Sequence, residues 1–260
     1  MVTHKVRYMK AVYRQVPDMV PVDGGLDLVH AQRILGKAPM GAFIFNSLRT
    51  DDLDMADVAT HNQRLLNEAS IKLDFDALMI YDWNLYPDGF RPHFMSGDSY
   101  VDHIGRIHRV KPDVKTTYWV DGTVKSPADL EEFELPSPDE LNMDLVDETV
   151  ATAKGEYPVI CWCHSAFIGP CQIRGGIDKF IVDLYRQPDF ARRLIEKVFK
   201  FQMEIVRRVI KAGVDIIVEG DDIADLKGPM ISPKLLREFY YPYARKFVEK
   251  CHTHNVPVMK

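Results

Sequence analysis

An apolar, β-branched run that stops abruptly at three acids constrains the fold of this chain more than any other feature. Residues 213–218 read GVDIIV, and the carboxylates of Glu219, Asp221 and Asp222 follow them. Such a run is typical of a strand buried on both faces of a parallel sheet, and α/β folds place their ligands at the carboxyl ends of such strands. The stretch therefore predicts an α/β fold with acids at its ligand-binding edge.

The composition suits one large domain that acts on a small molecule. The 260 residues are 46% hydrophobic and 27% charged, which is enough for a substantial core. The net charge of -5 gives no argument for binding nucleic acid or an anionic membrane. No apolar run approaches the roughly 20 residues of a membrane span, and residues 1–5 lack the apolar core of a signal peptide. We therefore expect a cytoplasmic protein.

The order of helix, short link, apolar strand and polar end is repeated along the chain. We predict strands at residues 16–22, 73–82, 157–164, 213–222 and 256–260. We predict helices at about 5–15, 54–73, 139–154, 179–185 and 189–212, a loop containing Cys171 and Arg174, and a helix capped by Ser232. A closed (β/α)8 barrel needs about eight such units, so we expect that the chain lacks the last units of a barrel. An open five-stranded sheet is the alternative.

Residues 83–136 interrupt this rhythm with a segment rich in Asp, Gly, Pro and aromatic residues. Alternating stretches at 104–110 and 114–120 predict a β-hairpin inserted at the exit of the second strand. Loops at this face usually shape a pocket. The aromatic side chains here either wall a ligand or pack the loop itself; they include Trp83, Tyr86, Phe90 and Phe94.

Acids at two strand ends are the candidate catalytic groups. Asp82 could exchange a proton or hold a cationic intermediate, or it could instead hydrogen-bond the loop at Trp83 and Asn84. Alternation places Glu219 and Asp221 on the same side, where crowding raises the pKa of at least one carboxyl group. Asp222 points the other way, which favours a helix-capping or loop-fixing role.

Soft and cationic side chains follow the third strand. Strand alternation points Cys161 and Cys163 one way and His164 the other, so the three could not easily meet one metal. Cys163 and His164 are either site residues or packed core. Arg174, before two glycines, could bind an anion, although a solvent-facing loop arginine is the common case.

The order of these features resembles the uroporphyrinogen decarboxylase superfamily, whose members are (β/α)8 TIM barrels and include cobalamin-linked methyltransferases. The matching stretches are 17–22 (PDMVPV), 75–82 (FDALMIYD), 213–217 (GVDII) and 220–222 (GDD). The ISP at 231–233, followed by FYYPY at 239–243, looks particularly like the methyltransferase-like members. The resemblance implies one barrel domain over 1–260, C-terminally incomplete, with an inserted hairpin at about 83–136.

Two departures from the family pattern bear on the substrate. The decarboxylases carry an arginine-rich segment after the first strand, whereas residues 23–30 here read DGGLDLVH. A porphyrinogen with many carboxylates needs guanidinium clamps, so this difference argues against that substrate. The methyltransferases bind zinc through a His-x-Cys pair whose place would lie just beyond Lys260.

The resemblance thus implies a methyltransferase that moves a methyl group from a small methylated substrate, such as a methoxyaromatic compound, to a corrinoid carried by a partner protein. For this O-demethylation we expect catalytic roles for Asp82, Glu219 and Asp221, substrate contacts from Tyr81, Trp83, Asn84, His164 and Arg174, and metal (zinc) ligation by Glu219 and Cys163. A decarboxylase of a less anionic substrate and a non-catalytic member of a corrinoid complex are the alternatives. A homodimer, and no nucleic-acid or membrane partner, complete these expectations.

Overall fold

The computed structural model describes residues 2–41, 53–95, 98–111 and 116–260. Its helices are α1 (His4–Val12), α2 (Leu28–Leu35), α3 (Met55–Lys72), α4 (Pro127–Glu132), α5 (Asp144–Ala153), α6 (Ile168–Arg174), α7 (Ile177–Arg186), α8 (Pro188–Ala212), α9 (Pro233–Leu235) and α10 (Tyr241–His252). Its strands are β1 (Leu78–Tyr81), β2 (His93–Phe94), β3 (Ser99–Val101), β4 (Arg106–Lys111), β5 (Thr116–Gly122), β6 (Val159–Cys163), β7 (Ile216–Glu219), β8 (Ala224–Asp225), β9 (Gly228–Pro229) and β10 (Val258–Met259).

A parallel sheet in the order β1-β6-β7-β10 organises the chain. Leu78 lies opposite Val159 in β1 and β6, and Ile160 lies opposite Ile216 in β6 and β7. One sheet face packs against the helices α5, α8 and α10, and the other is covered by Tyr8 and its neighbours in α1. Burial on both faces explains why these strands are continuously apolar. The prediction of an α/β fold with a parallel sheet is confirmed.

The predicted first strand at 16–22 is wrong. These residues form no strand, and Val16 is 89% exposed. Pro17 and Pro21 lack the N–H groups that a sheet ladder needs. Val22 contacts the buried Asp76 through its main chain. Its N–H donates to the Asp76 carboxylate at 2.7 Å, and its carbonyl accepts from the Asp76 N–H at 2.7 Å.

The long helix α8 covers the sheet with the apolar stripe that the sequence predicts. Its predicted stripe residues are all buried: Phe190, Leu194, Val198, Phe201, Ile205 and Val209. Ser232 caps α9 by accepting from the Leu235 N–H at 3.3 Å, as predicted. No helix among the described residues is both long and apolar enough to cross a membrane.

The inserted segment forms a four-stranded antiparallel sheet in the order β2-β3-β4-β5. The hairpin predicted at 104–110 and 114–120 corresponds to β4 and β5, although residue 114 lies outside the described residues. This sheet docks on α6, where the Trp119 indole N–H donates to the Gln172 carbonyl at 3.1 Å. Gly122 allows the approach, because a Cβ there would lie 2.0 Å from the Ile173 carbonyl oxygen.

Candidate functional site

Three parallel strands deliver polar side chains to the same edge of the sheet. Asp82 follows β1, His164 and Ser165 follow β6, and Glu219 ends β7. Because β1, β6 and β7 run parallel, their carboxyl ends meet at this edge. The structure thereby brings together the predicted site residues Asp82, His164, Glu219 and Asp221.

The Asp82 carboxylate is bound by His164. The His164 main-chain N–H donates to Oδ2 of Asp82 at 2.9 Å, and the His164 Nδ1 lies 3.1 Å from Oδ1. Burial opposes charging of the ring, but the neighbouring Asp82 carboxylate dominates and raises the pKa of His164. The pair therefore holds a proton at the strand ends. Asp82 uses its carboxylate for this contact and not for the loop at Trp83 and Asn84.

A cavity of about 10 Å³ separates this pair from the inserted sheet. His103 and Gln202 line it, and the His103 Nδ1 and the Gln202 Oε1 are buried without a hydrogen-bond partner. Burial lowers the pKa of His103 to about 4. The volume is close to what one water molecule needs.

Beside this small cavity, Asp102 anchors the inserted sheet. Its carboxylate accepts from the Arg106 Nε at 2.5 Å and lies 2.9 Å from the His108 Nε2. Burial works against ionisation of Asp102, yet the Arg106 guanidinium holds the pKa of that carboxyl group well below its usual range. Sequence reasoning missed this cluster, because charged residues in a polar insertion suggest an exposed loop.

A single hydroxyl bridges the two buried acids after β7. The Ser165 Oγ lies 2.6 Å from Oε1 of Glu219 and 2.7 Å from Oδ2 of Asp221. One hydroxyl proton cannot be donated to both oxygens. The contacts are satisfied when Glu219 carries a proton that it donates to Ser165, which in turn donates to Asp221.

The environment of Glu219 favours that protonated form. Burial and the nearby charge of Asp221 raise the pKa of Glu219. Lys260 opposes the shift, since its ammonium group contacts Oε2 of Glu219. The Tyr240 hydroxyl donates to the same oxygen at 2.8 Å.

Asp221 holds the start of α6. Its Oδ2 accepts from the N–H groups of Ala166 and Phe167 at 2.7 and 2.9 Å, and its Oδ1 accepts from the Ile168 N–H at 2.9 Å. Burial opposes ionisation, but the charge of His164 and these hydrogen bonds lower the pKa of Asp221. The loop-fixing role that the sequence suggested for Asp222 therefore belongs to Asp221, while Asp222 is exposed.

The same contacts explain a second wrong prediction. Residues 168–174 are the helix α6 and not a loop. The residue before α6, Phe167, has no capping side chain, and the free N–H groups find their acceptor 53–55 residues away. A cap so distant in sequence leaves no local signal.

The predicted metal site at Cys163 and Glu219 stays a prediction. Cys163 and Glu219 lie opposite each other in β6 and β7, but the Cys163 Sγ lies 3.5 Å from that of Cys161. The contact with Cys161 and burial raise the pKa of the Cys163 thiol. Among the described residues no group of three His, Cys, Asp or Glu side chains could hold a metal ion. We derive no step through zinc.

Arg174 joins two helices instead of facing a ligand. Its Nε donates to Asp183 in α7 at 2.5 Å, and its guanidinium lies 5.8 Å from the centre of the Phe190 ring. Arg174 lines neither cavity that borders the predicted site.

A much larger cavity, of about 470 Å³, opens beside the strand ends. The predicted substrate-binding residues Tyr81, Trp83 and Asn84 line it. The Tyr81 and Trp83 rings stack with centres 4.6 Å apart, and the Trp83 ring lies 5.0 Å from the ring of His164. Trp83 thus separates the cavity from the Asp82–His164 pair.

The described walls of this cavity are formed by aromatic, aliphatic and uncharged polar side chains, with one exception. Its described lining consists of Leu26, Asp27, Leu28, Val29, Gln32, Pro39, Met40, Met55, Val58, Ala59, Asn62, Gln63, Leu66, Tyr81, Trp83, Asn84, Tyr86, Tyr100 and Thr117. Asp27 is the exception, and it caps α2 by accepting from the His30 N–H at 2.8 Å. None of these residues is a lysine or an arginine. The described lining thus offers a ligand apolar and uncharged polar contacts but no cation.

Comparisons with known proteins agree with the fold. Residues 110–260 match the family model described as uroporphyrinogen decarboxylase (URO-D). The uroporphyrinogen decarboxylases of Geobacter metallireducens and Geobacter sulfurreducens are each 28% identical over 145 residues, which is 52% of this chain and 41% of each relative. The chain thus matches less than half the length of these curated relatives. The solved structure of a methyltransferase from Methanosarcina mazei aligns with a TM-score of 0.68 and 16% identity over 99% of this chain and 69% of its own.

Proposed function

This chain belongs to the uroporphyrinogen decarboxylase family, and from that membership we propose that it is a methyltransferase acting on a small, uncharged methylated substrate such as a methoxyaromatic compound. The observation that carries the proposal is the cavity of about 470 Å³ with aromatic walls and no cation among its described lining residues. A porphyrinogen with many carboxylates requires cationic clamps, whereas a methoxyaromatic ring requires flat apolar walls.

The aromatic walls would orient the substrate ring. The stacked pair of Tyr81 and Trp83 offers one face, and Tyr86 and Tyr100 line the same cavity. Offset or edge-on contacts with such rings favour a flat ligand and exclude water from it. Exclusion of water strengthens any hydrogen bond made to the ether oxygen.

The Asp82–His164 pair would supply the proton. Transfer of a methyl group from an ether requires a proton at the departing oxygen. Asp82 raises the pKa of His164, and the ring of Trp83 contacts both His164 and the cavity. A shift of Trp83 would bring that proton to the substrate. Glu219, which favours its protonated form, would be a second proton holder behind Ser165.

A corrinoid carried by a partner protein would supply the nucleophile that accepts the methyl group. We place that acceptor on the partner, so that the cavity of this chain takes the methyl donor alone. The described residues of this chain would bind and orient the methyl donor and protonate its oxygen.

The test is methylation of cob(I)alamin by the purified protein with a panel of methoxyaromatics and methylamines. We expect transfer from methoxyaromatics and none from methylamines. Uroporphyrinogen is assayed in parallel for release of carbon dioxide. Release of carbon dioxide without methyl transfer from any donor would overturn the proposal in favour of a decarboxylase.

A further inference from the structure

The inserted sheet supplies one aromatic wall of the large cavity. Tyr100, in β3, is 5% exposed and lines this cavity together with Thr117 of β5. A side chain in the wall of a binding site contributes most when it is already held in its bound orientation, because binding then loses no entropy in ordering it. The contacts that hold Tyr100 therefore bear on ligand binding.

His108 lies flat against the ring of Tyr100. The two residues are opposite each other in β3 and β4, and their ring centres are 5.3 Å apart with an angle of 15° between the planes. Phe94, opposite Tyr100 in β2, adds a tilted ring contact at 5.4 Å. His108 is not among the described residues that line the large cavity. Any effect of His108 on a ligand there would pass through Tyr100.

The carboxylate of Asp102 fixes the ring of His108. Its Oδ2 lies 2.9 Å from the His108 Nε2, and its Oδ1 accepts from the Arg106 N–H at 2.8 Å. The Arg106 guanidinium in turn donates to Oε1 of Gln172, in α6, at 3.2 Å. The side chains of Asp102 and His108 are 2% and 16% exposed. A chain of polar contacts thus runs from α6 to the ring that stacks on Tyr100.

This chain of contacts is better explained by orientation than by stability. An aliphatic side chain at position 108 would cover Tyr100 without a buried carboxylate, and replacing buried ionic groups by apolar ones is often neutral or stabilising. The hydrogen bond to Asp102 instead fixes the plane of an imidazole ring, which an aliphatic side chain does not have. A fixed plane stacked on Tyr100 restricts the rotation of the Tyr100 ring.

We infer that His108 is a positioning residue for the methyl-donor site: it holds the ring of Tyr100 in one orientation and so sets the shape of the large cavity. This inference rests on the proposed function and adds to it a residue that does not line the cavity. Release of the Tyr100 ring should weaken ligand binding by about three- to tenfold, since one side chain must then be ordered on binding. The transfer step itself should be unaffected, because His108 is not among the described residues around the Asp82–His164 pair.

The first experiment measures the affinity for 2-methoxyphenol by calorimetric titration, and KM and kcat for the same donor with cob(I)alamin. His108→Ala removes the stacked ring, so Kd and KM should rise about three- to tenfold while kcat stays within about twofold. His108→Phe keeps a flat ring and should restore both values to within about twofold of the wild type. Arg109→Ala is the matched control, because this neighbouring side chain is 51% exposed and points to the other face of β4.

The second experiment needs no ligand. The protein is labelled with 3-fluorotyrosine, the signal of Tyr100 is assigned with Tyr100→Phe, and ring averaging is followed by fluorine NMR. We expect one fixed ring orientation in the wild type and in His108→Phe, and an averaged signal in His108→Ala.

The two experiments separate the inference from the proposed function. A Tyr100 ring that already averages in the wild type would overturn the inference even where a variant fails to fold, and so would an affinity that His108→Ala leaves within twofold. An ordered ring that His108→Ala releases, together with no binding or methyl transfer from 2-methoxyphenol in the wild type, would retain the positioning role and count against the proposed function.

Discussion

His164 binds the Asp82 carboxylate twice, through its main-chain N–H at 2.9 Å and through its ring Nδ1 at 3.1 Å. The two contacts join the end of β1 to the end of β6 and favour a proton on the half-buried imidazole. Asp82→Asn should therefore lower the pKa of His164, because burial would no longer be opposed by a charge. The measurement is an NMR titration of the His164 ring in both proteins.

The same substitution should destabilise the protein by about 3–5 kcal/mol, the usual cost of removing one member of a buried ion pair. A raised histidine pKa contributes stability below the unfolded value of about 6.5, and this stability is lost as the pH rises through the folded value. Urea unfolding should thus show a larger loss at pH 6 than at pH 9. Methyl transfer should fall about 100-fold or more if the pair supplies the proton. Full activity in Asp82→Asn would remove that role.

Asp221 and Asp222 form a matched pair of adjacent carboxylates with opposite surroundings. Asp221→Ala should lower the free energy of unfolding by about 2–4 kcal/mol, because it leaves several N–H groups at the start of α6 without an acceptor. The exposed Asp222→Ala should stay within about 0.5 kcal/mol of the wild type. Urea unfolding of the three proteins at pH 7 measures both values.

The pH dependence of this pair provides a second measurement. The pKa of Asp221 is lowered, so its contribution is present above the unfolded value of about 3.9 and is lost as the pH falls through the folded value. The wild type and Asp221→Ala should converge in stability in acid. Equal stability of Asp221→Ala and Asp222→Ala at pH 7 would contradict the capping role.

The sequence was sufficient where the signal is local. Apolar runs that end in polar side chains placed β1, β6 and β7, and alternation correctly set Glu219 and Asp221 on one side of Ser165. Helical spacing likewise predicted the buried stripe of α8. These patterns arise because buried positions recur with the period of a strand or a helix. The order of residues in the sequence records that period directly.

The rest depends on contacts between distant residues. The cap of α6 comes from Asp221, and the partner of His164 is 82 residues away. Gln63, Asn67 and Thr149 form a chain of buried hydrogen bonds between α3 and α5 that the apolar spacing of α3 does not record. Nothing in the spacing of these residues records which of them will meet, so a single sequence predicts the elements better than the site.

The half-buried ring of His103 lies close to Asp102, Arg106, His108 and Asp82, and its folded pKa of about 4 lies below the unfolded value of about 6.5. Between these two pKa values His103 binds a proton in the unfolded chain but not in the folded chain. Stability should therefore fall as the pH drops from 6.5 to 4, by up to about 3 kcal/mol from this residue. His103→Gln should flatten that part of the pH profile in urea unfolding, and the exposed control His254→Gln should not. Identical profiles for both variants would contradict burial of a neutral His103.

Substitution of Arg174 tests whether its ion pair with Asp183 stabilises the fold. Arg174→Met should lower the free energy of unfolding by about 1–3 kcal/mol, because the buried Asp183 carboxylate loses its partner. The affinity for 2-methoxyphenol should stay within about twofold, since Arg174 does not line the large cavity. Asp183→Asn is the matched control: it should cost a similar amount, and the double variant should cost less than the sum of the two. A stable Arg174→Met protein that binds its ligand tenfold more weakly would instead place this guanidinium at the ligand, as the sequence alone suggested.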